Sequence, residues 1–241
     1  TQVSAVLGYY GRFLTRFPDV ATLAAAPQDE VLALWSGLGY YSRARNLHHC
    51  AQAVVGDFGG AFPSSSQALQ TLPGIGPSTA AAIAAFCFGE PISIFDGNVK
   101  RVLARRLGFS GDMSDPAQAR ALMALAQAQV PPAPNPVAMV AYTQGLMDLG
   151  ATLCTRSRPA CGNCPLAEDC VALRTGQTSQ LPVKTKRVKR SAEAWWLLVA
   201  RRPGGAVWLG KRPLTGIWAG LHCFPAFESL AALQAALDLS L

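Results

Sequence analysis

Residues 72–86 read LPGIGPSTAAAIAAF. A proline and two glycines, Gly74 and Gly76, stand directly before a run of small helix-forming residues. One glycine is enough for a tight turn. Two, spaced i and i+2 ahead of a helix, indicate that the backbone comes close to something and aims a helix N-terminus at it. The preceding FPSSSQALQTL holds a serine run that can cap a short helix over 65–71, and the following helix is predicted over 78–88. The whole is a helix, a Leu-Pro-Gly-Ile-Gly turn and a second helix, over 67–88. Glycine N–H groups of this kind suit a phosphate, with Ile75 packing back into the pair. An ordinary helical corner is the competing reading.

Helical spacing extends on both sides. Residues 1–59 read as successive helices broken at Pro27 and at Gly37 and Gly39. FDGNVKRVLARRLG is helical from Gly97 to Leu107, with Asp96 in the N-cap position. DPAQARALMALAQAQV and NPVAMVAYTQGLMDLGATLC each open on Asp-Pro or Asn-Pro, a cap followed by proline at the first helical position. No strand is predicted before residue 150. The fold class is therefore mainly α up to the cysteine-rich stretch.

That stretch is CTRSRPACGNCPLAEDC. It spaces Cys154, Cys161, Cys164 and Cys170 as C-x6-C-x2-C-x5-C. Zinc sites usually set two close pairs a longer distance apart. One compact loop carrying four thiolates suits an iron–sulfur cubane, with zinc as the alternative. Arg156 and Arg158 lie in the first spacer, where a loop pinned by a cluster would present them to phosphates. Cys50, Cys87 and Cys223 read as small core residues.

The 241-residue chain has 21 Lys and Arg against 14 Asp and Glu, a net charge of +7. An acidic partner, nucleic acid first, is favoured. No apolar run reaches the ~18 residues of a membrane span, and no basic start with a cleavage site marks a signal peptide. A cytoplasmic protein without membrane contact is expected. The chain opens on Thr1 already in helical spacing, which reads as a start inside a helix.

Four regions are expected: a helical domain over 1–153, a cysteine loop over 154–173, a basic linker over 174–193 and a partial α/β domain over 194–241. KTKRVKR in the linker holds five basic residues in seven. AWWLLVA and AVWLGKR read as strands joined by RRPGG, and FESLAALQAALDL as a helix.

The hairpin and the cysteine spacing together resemble the endonuclease III superfamily of helix–hairpin–helix DNA glycosylases. Within it, FDGNVKRVLARRLG, GLGYYSRARNL and KRPLTGIWAGLHCFP resemble the MutY-type adenine glycosylases. The resemblance covers essentially the whole chain. It implies a helix–hairpin–helix fold, one [4Fe-4S] cluster and a Nudix-like C-terminal domain that reads 8-oxoguanine. Here that domain lacks the glutamate-rich box of the hydrolases. It implies, as partner of a monomer, double-stranded DNA carrying adenine opposite 8-oxoguanine or guanine.

The same resemblance assigns roles. Asp96 becomes the carboxylate that stabilises an oxocarbenium-like sugar, although from the residues alone it is equally a helix cap. Asn98 supports Asp96 or the sugar. Ser78 stands where bifunctional members carry a nucleophilic lysine, which implies a monofunctional enzyme. Leu38 and Tyr40 resemble the wedge that enters the duplex, and Thr1 matches a position contacting 8-oxoguanine. Lys100 and Arg101 meet phosphate or face water. The general-acid glutamate of the family falls upstream of Thr1, so the chain as written is expected to bind lesion DNA but release adenine poorly. A bifunctional glycosylase/lyase and a non-catalytic DNA clamp are the alternative readings.

Overall fold

The computed structural model describes residues 3–131, 135–185 and 192–238. It divides into two units, one of Thr1–Gln52 with Lys189–Leu241, the other of Ala53–Val188. Among the described residues no helix is long and apolar enough to cross a membrane.

The first unit begins with helices α1 (Val3–Arg16), α2 (Val20–Ala25) and α3 (Gln28–Leu34), and with the start of α4 (Tyr41–Phe58). Asp19 caps α2, its Oδ1 accepting from Thr22 N at 2.7 Å, and that bond holds its carboxyl below the usual value. Phe17, Leu23, Ala26, Val31 and Ala51 form the core. Phe13 meets Phe17 edge-on at 5.0 Å and Trp35 at 6.2 Å. The turn between α3 and α4 runs through Gly37 and Gly39, both with positive φ, as the broken helical pattern predicts.

The same unit holds the C-terminal segment. Four two-residue strands, β1 (Trp196–Leu197), β2 (Gly210–Lys211), β3 (His222–Cys223) and β4 (Ala226–Phe227), precede α11 (Leu230–Asp238). β1 pairs antiparallel with β4, Trp196 opposite Phe227, and β2 with β3, Gly210 opposite Cys223. The expected hairpin is present as a bridge between Arg201 and Val207, closed by Gly205 N donating to Arg202 O at 3.0 Å. Its strands are shorter than the apolar runs predict. Trp196, Leu197 and Trp208 stay exposed, so burial does not straighten the ladder.

The second unit contains the rest of α4 and helices α5 (Ser66–Leu69), α6 (Pro77–Phe88), α7 (Gly97–Leu107), α8 (Pro116–Gln127), α9 (Pro136–Asp148) and α10 (Val171–Arg174). The predicted caps act as caps. Asp115 Oδ1 accepts from Ala117 N at 2.9 Å and Asn135 Oδ1 from Ala138 N at 2.7 Å. The core gathers Ala81, Ile94, Val99, Leu103, Ala104, Leu122 and Ala126. After α9 the helix widens into a π turn over Leu149–Leu153, a form found mostly as single turns and often at functional sites. Gly150 allows the close approach there: a Cβ on it would lie 2.7 Å from Asn98 Cβ and 3.0 Å from Asn98 backbone.

The stretch expected as linker is held against this unit as far as Thr185. Leu181 is buried, Met113 N donates to Val183 O at 2.9 Å, and Asp112 accepts from both the amide and the hydroxyl of Thr185. The Thr185 hydroxyl first, and then the Ser114 amide, which donates to Asp112 Oδ1 at 2.8 Å, lower the Asp112 carboxyl to about 2. Residues 186–191, with most of the basic run, lie outside the described residues.

Candidate functional site

The hairpin is built from its first helix outward. Ser65 Oγ caps α5 through Ala68 N at 3.2 Å. Glu90, from beyond the second helix, accepts from Ser66 N at 2.6 Å and from Ser66 Oγ at 2.7 Å. One carboxylate thus pins the start of α5 to the end of α6. Leu69 and Leu72 are buried, and Ile75 N donates to Leu72 O at 3.2 Å. Gly74 has φ 76°, a left-handed conformation that favours glycine. Gly76 differs. It is the N-cap of α6 with φ −81° and no side-chain cap, and a Cβ on it would meet no protein atom within 4 Å. The fold does not require glycine at 76. A bare, uncapped helix start, exposed and followed by Pro77, leaves free N–H groups for an external anion. Ser78 is half-buried on the first turn.

Asp96 ends an extended segment that Gln127 grips from both directions. Gln127 Oε1 accepts from Ser93 N at 3.0 Å, and its Nε2 donates to Pro91 O at 2.9 Å. Asp96 then caps α7, Oδ1 accepting from Val99 N at 2.8 Å. The carboxylate is half-buried, and its second oxygen has no partner among the described residues. Cap and uncommitted acceptor coexist in one side chain.

Asn98, expected to support Asp96 or the sugar, makes no bond to Asp96 among the described residues. Its Oδ1 accepts from Arg101 Nη2 at 2.8 Å. Arg101 in turn neither reaches out for phosphate nor faces water. Its Nε donates to Cys154 O at 2.6 Å and its Nη2 to Gly150 O at 2.5 Å. It satisfies carbonyls that the π turn leaves without helical partners. Lys100 lies 4.6 Å over the Phe95 ring.

Cys154, Cys161, Cys164 and Cys170 line one small cavity with Leu153, Pro159 and Leu173. Arg105, only 2% exposed, is its polar wall. Its Nη1 donates to Cys154 Sγ at 3.3 Å and to Thr155 O at 2.7 Å, Nη2 to Arg156 O at 3.1 Å, and Nε to Leu181 O at 3.0 Å. Burial, and then the three neighbouring cysteines, push the Cys161 thiol up, with Arg105 opposing. Four sulfurs so placed call for cations among them. Among the described residues no three His, Cys, Asp or Glu side chains are grouped to hold a single metal ion. Four cysteines lining one cavity could by their donor chemistry hold an iron–sulfur cluster or a zinc ion. The side chains of Arg156 and Arg158 are exposed beside it.

The loop before α4 presents Tyr40, 78% exposed with φ 50°. Trp35 Nε1 holds Gly39 O at 3.0 Å, and Arg43 lies 5.1 Å over the Tyr40 ring. Leu38 is half-buried. Thr1 lies outside the described residues.

The sequence reading missed Glu90, Gln127 and Arg105, and misjudged Arg101. A signal for the arginines was present: Asn98, Arg101 and Arg105 share one face of α7 at i, i+3 and i+7, a polar stripe beside an otherwise apolar one.

A family model, HhH-GPD superfamily base excision DNA repair protein, matches residues 1–132, and a second, the iron–sulfur binding domain of endonuclease III, matches residues 154–170. The adenine DNA glycosylase of Buchnera aphidicola subsp. Baizongia pistaciae is 38% identical over 229 residues, covering 94% of this chain and 63% of that protein. The adenine DNA glycosylase of Mus musculus is 43% identical over 187 residues, 76% of this chain and 35% of that protein. The chain thus spans less than two thirds of the length of these relatives. A solved thermostable thymine-DNA glycosylase superposes with a TM-score of 0.64 at 28% identity, covering 73% of this chain and 79% of that one. With the shared cysteine cavity, the second match makes residues 154–170 a [4Fe-4S] cluster segment. The helical fold, the glycine hairpin and the match over residues 1–132 together establish that the chain belongs to the HhH-GPD superfamily of base excision DNA repair proteins.

Proposed function

We propose that the chain is a monofunctional DNA glycosylase that releases adenine opposite 8-oxoguanine or guanine, working as a monomer on double-stranded DNA. The observation that carries this reading is Asp96: a half-buried carboxylate at the end of a clamped extended segment, with one oxygen in the α7 cap and the other uncommitted. The similarity to adenine DNA glycosylases supports the choice of base.

The hairpin N–H groups at Gly74, Gly76 and the start of α6 take a backbone phosphate, and Lys100, Arg156 and Arg158 add positive charge. Leu38 and Tyr40 enter the stack as the target adenine leaves it. The C1′–N9 bond then lengthens and positive charge builds on the sugar, where the Asp96 carboxylate stabilises it. Water adds to C1′, its proton leaves, and adenine departs with the bonding pair once protonated. Ser78 cannot form a Schiff base, so the strand stays intact. Cys154, Cys161, Cys164 and Cys170 are the proposed ligands of the [4Fe-4S] cluster. When bound, the cluster cross-links the loop that carries Arg156 and Arg158. The segment after residue 194 is proposed as part of a Nudix-like recognition domain.

The test is single-turnover adenine release from a duplex with one adenine opposite 8-oxoguanine, revealed by alkali. Asp96→Asn keeps the cap, since Asn and Asp cap almost equally well. It should lower release by about 10³-fold while duplex affinity stays within about threefold. Equal release by the variant would sink the assignment. Strand breaks without alkali, trapped by borohydride, would favour the bifunctional enzyme instead. Running the chain alone and with a relative's N-terminal segment joined ahead of Thr1 tests in the same assay whether release depends on a general acid supplied from there.

A further inference from the structure

Among the described residues only two that are not glycine have a left-handed backbone: Tyr40 (φ 50°) and Trp218 (φ 55°). For bulky side chains this conformation is a genuine outlier. It persists where the surroundings over-determine it, and such residues cluster at ligand sites. Both residues are aromatic and exposed, 78% and 51%. Both line one open cavity of about 300 Å³, with Ser42 and Arg45 among the residues at its rim.

The backbone on each side is held without burying either ring. Trp35 Nε1 donates to Gly39 O at 3.0 Å. Arg45 Nη1 donates to Ala219 O at 2.7 Å, and Leu221 N to Trp218 O at 3.0 Å. The loop geometry is therefore spent on presenting two rings to solvent. Cations alternate with these rings. Arg43 lies 5.1 Å over Tyr40. Trp218 meets Trp195 edge-on at 6.0 Å, and Arg212 lies 4.4 Å over Trp195. Arginine interleaved with exposed aromatics is the composition of surfaces that stack unpaired nucleic-acid bases.

We propose that the cavity lined by Tyr40 and Trp218 receives one unstacked nucleobase of DNA, with Trp218 as a stacking face and Ser42 and Arg45 as its polar rim. The inference rests on the DNA glycosylase reading and adds Trp218 to it as a residue that determines which duplexes are held. The residues that line the cavity all belong to the first unit, and the proposal concerns a base other than the one released.

The test uses the chain with its cluster in the Asp96→Asn background, so that no base is lost. Affinity is measured for a duplex with adenine opposite 8-oxoguanine and for a fully paired duplex. Trp218→Leu should weaken binding to the first about tenfold, the scale of one base–aromatic stack, and to the second by less than about twofold. Trp218→Phe should restore the difference. A merely structural role would weaken both duplexes together and lower the melting temperature, and that result, or no change with either duplex, would overturn the proposal. A single-stranded oligothymidylate carrying 5-iodouracil probes the slot apart from any mispair. Photo-crosslinking to Trp218 or Tyr40 supports it, and a crosslink confined to other residues at saturation removes it. Failure of the glycosylase reading has a different signature: no preference between duplexes and no adenine release even when a relative's N-terminal segment is joined ahead of Thr1, with the 5-iodouracil crosslink still deciding the slot.

Discussion

The cluster-bearing unit and the C-terminal segment treat similar raw material in opposite ways. Both are rich in apolar residues and arginine. In residues 53–188 two arginines of α7 turn inward: Arg101 and Arg105 end on carbonyls of Gly150, Cys154, Thr155, Arg156 and Leu181. Apolar residues of α6, α7 and α8 close a core in the same unit. In residues 192–238 the described residues bury one apolar side chain, Ala219. Trp196, Trp208, Leu214 and Trp218 stay exposed, and Arg212 lies against a ring. Apolar content alone does not make a core. What separates the regions is how well the layers close: helices cross over the first region and bury its apolar residues, while α11, which meets β4 in the second, has no buried residue of its own.

The largest test of that contrast is Arg105→Met. It would strand the carbonyls of Leu181, Thr155 and Arg156 in a buried site. A loss of about 3–5 kcal/mol is expected in denaturant unfolding, together with loss of the cluster's visible absorbance. Stability within 1 kcal/mol of the parent would break the picture of an arginine-braced loop. Gly150→Ala comes next. Its Cβ would meet Asn98 at 2.7 Å, an overpacking expected to cost about 1–3 kcal/mol, read as a lowered melting temperature. Gly76→Ala is expected to leave stability within about 0.5 kcal/mol, because no protein atom stands in its way. Duplex affinity should still fall several-fold; unchanged affinity would return the hairpin to an ordinary corner. Smallest is Leu214→Ser at a 72% exposed position. Unfolding should shift by no more than about 0.5 kcal/mol, and a larger loss would mean that the C-terminal segment packs more tightly than its exposure indicates.

A pH titration sharpens the boundary between the regions. Asp112 titrates at about 2 when folded, below its usual 3.8. Its hold on Thr185 is therefore fully present above pH ~4 and lost as pH falls through the folded value. In an Asp112→Asn variant the acid-dependent change at the Thr185 amide should disappear from NMR spectra.

Much of this was legible before any coordinates. Asp96, Asp115 and Asn135 read as caps and act as caps, because a cap bonds an amide two or three residues away. The cysteine spacing read as a cubane loop, and four thiols do share one cavity. Less was legible in the candidate site. Asn98 and Arg101 seemed free to serve substrate, yet they brace the π turn. Glu90 gave no sign that it caps a helix 24 residues earlier. AWWLLVA and AVWLGKR read as longer strands than they form, since alternation reports a strand's preference and not whether anything covers it.

By itself the sequence determined the helices, their caps, the hairpin turn and the cysteine loop. All of these rest on contacts within a few residues, where i to i+4 geometry decides the outcome. Only the tertiary structure decided which cations are spent and which remain at the surface, and that the two strained aromatics, Tyr40 and Trp218, line one cavity. Those outcomes depend on groups that the chain brings together from 49 to 182 positions apart, and no local preference encodes which of them will meet.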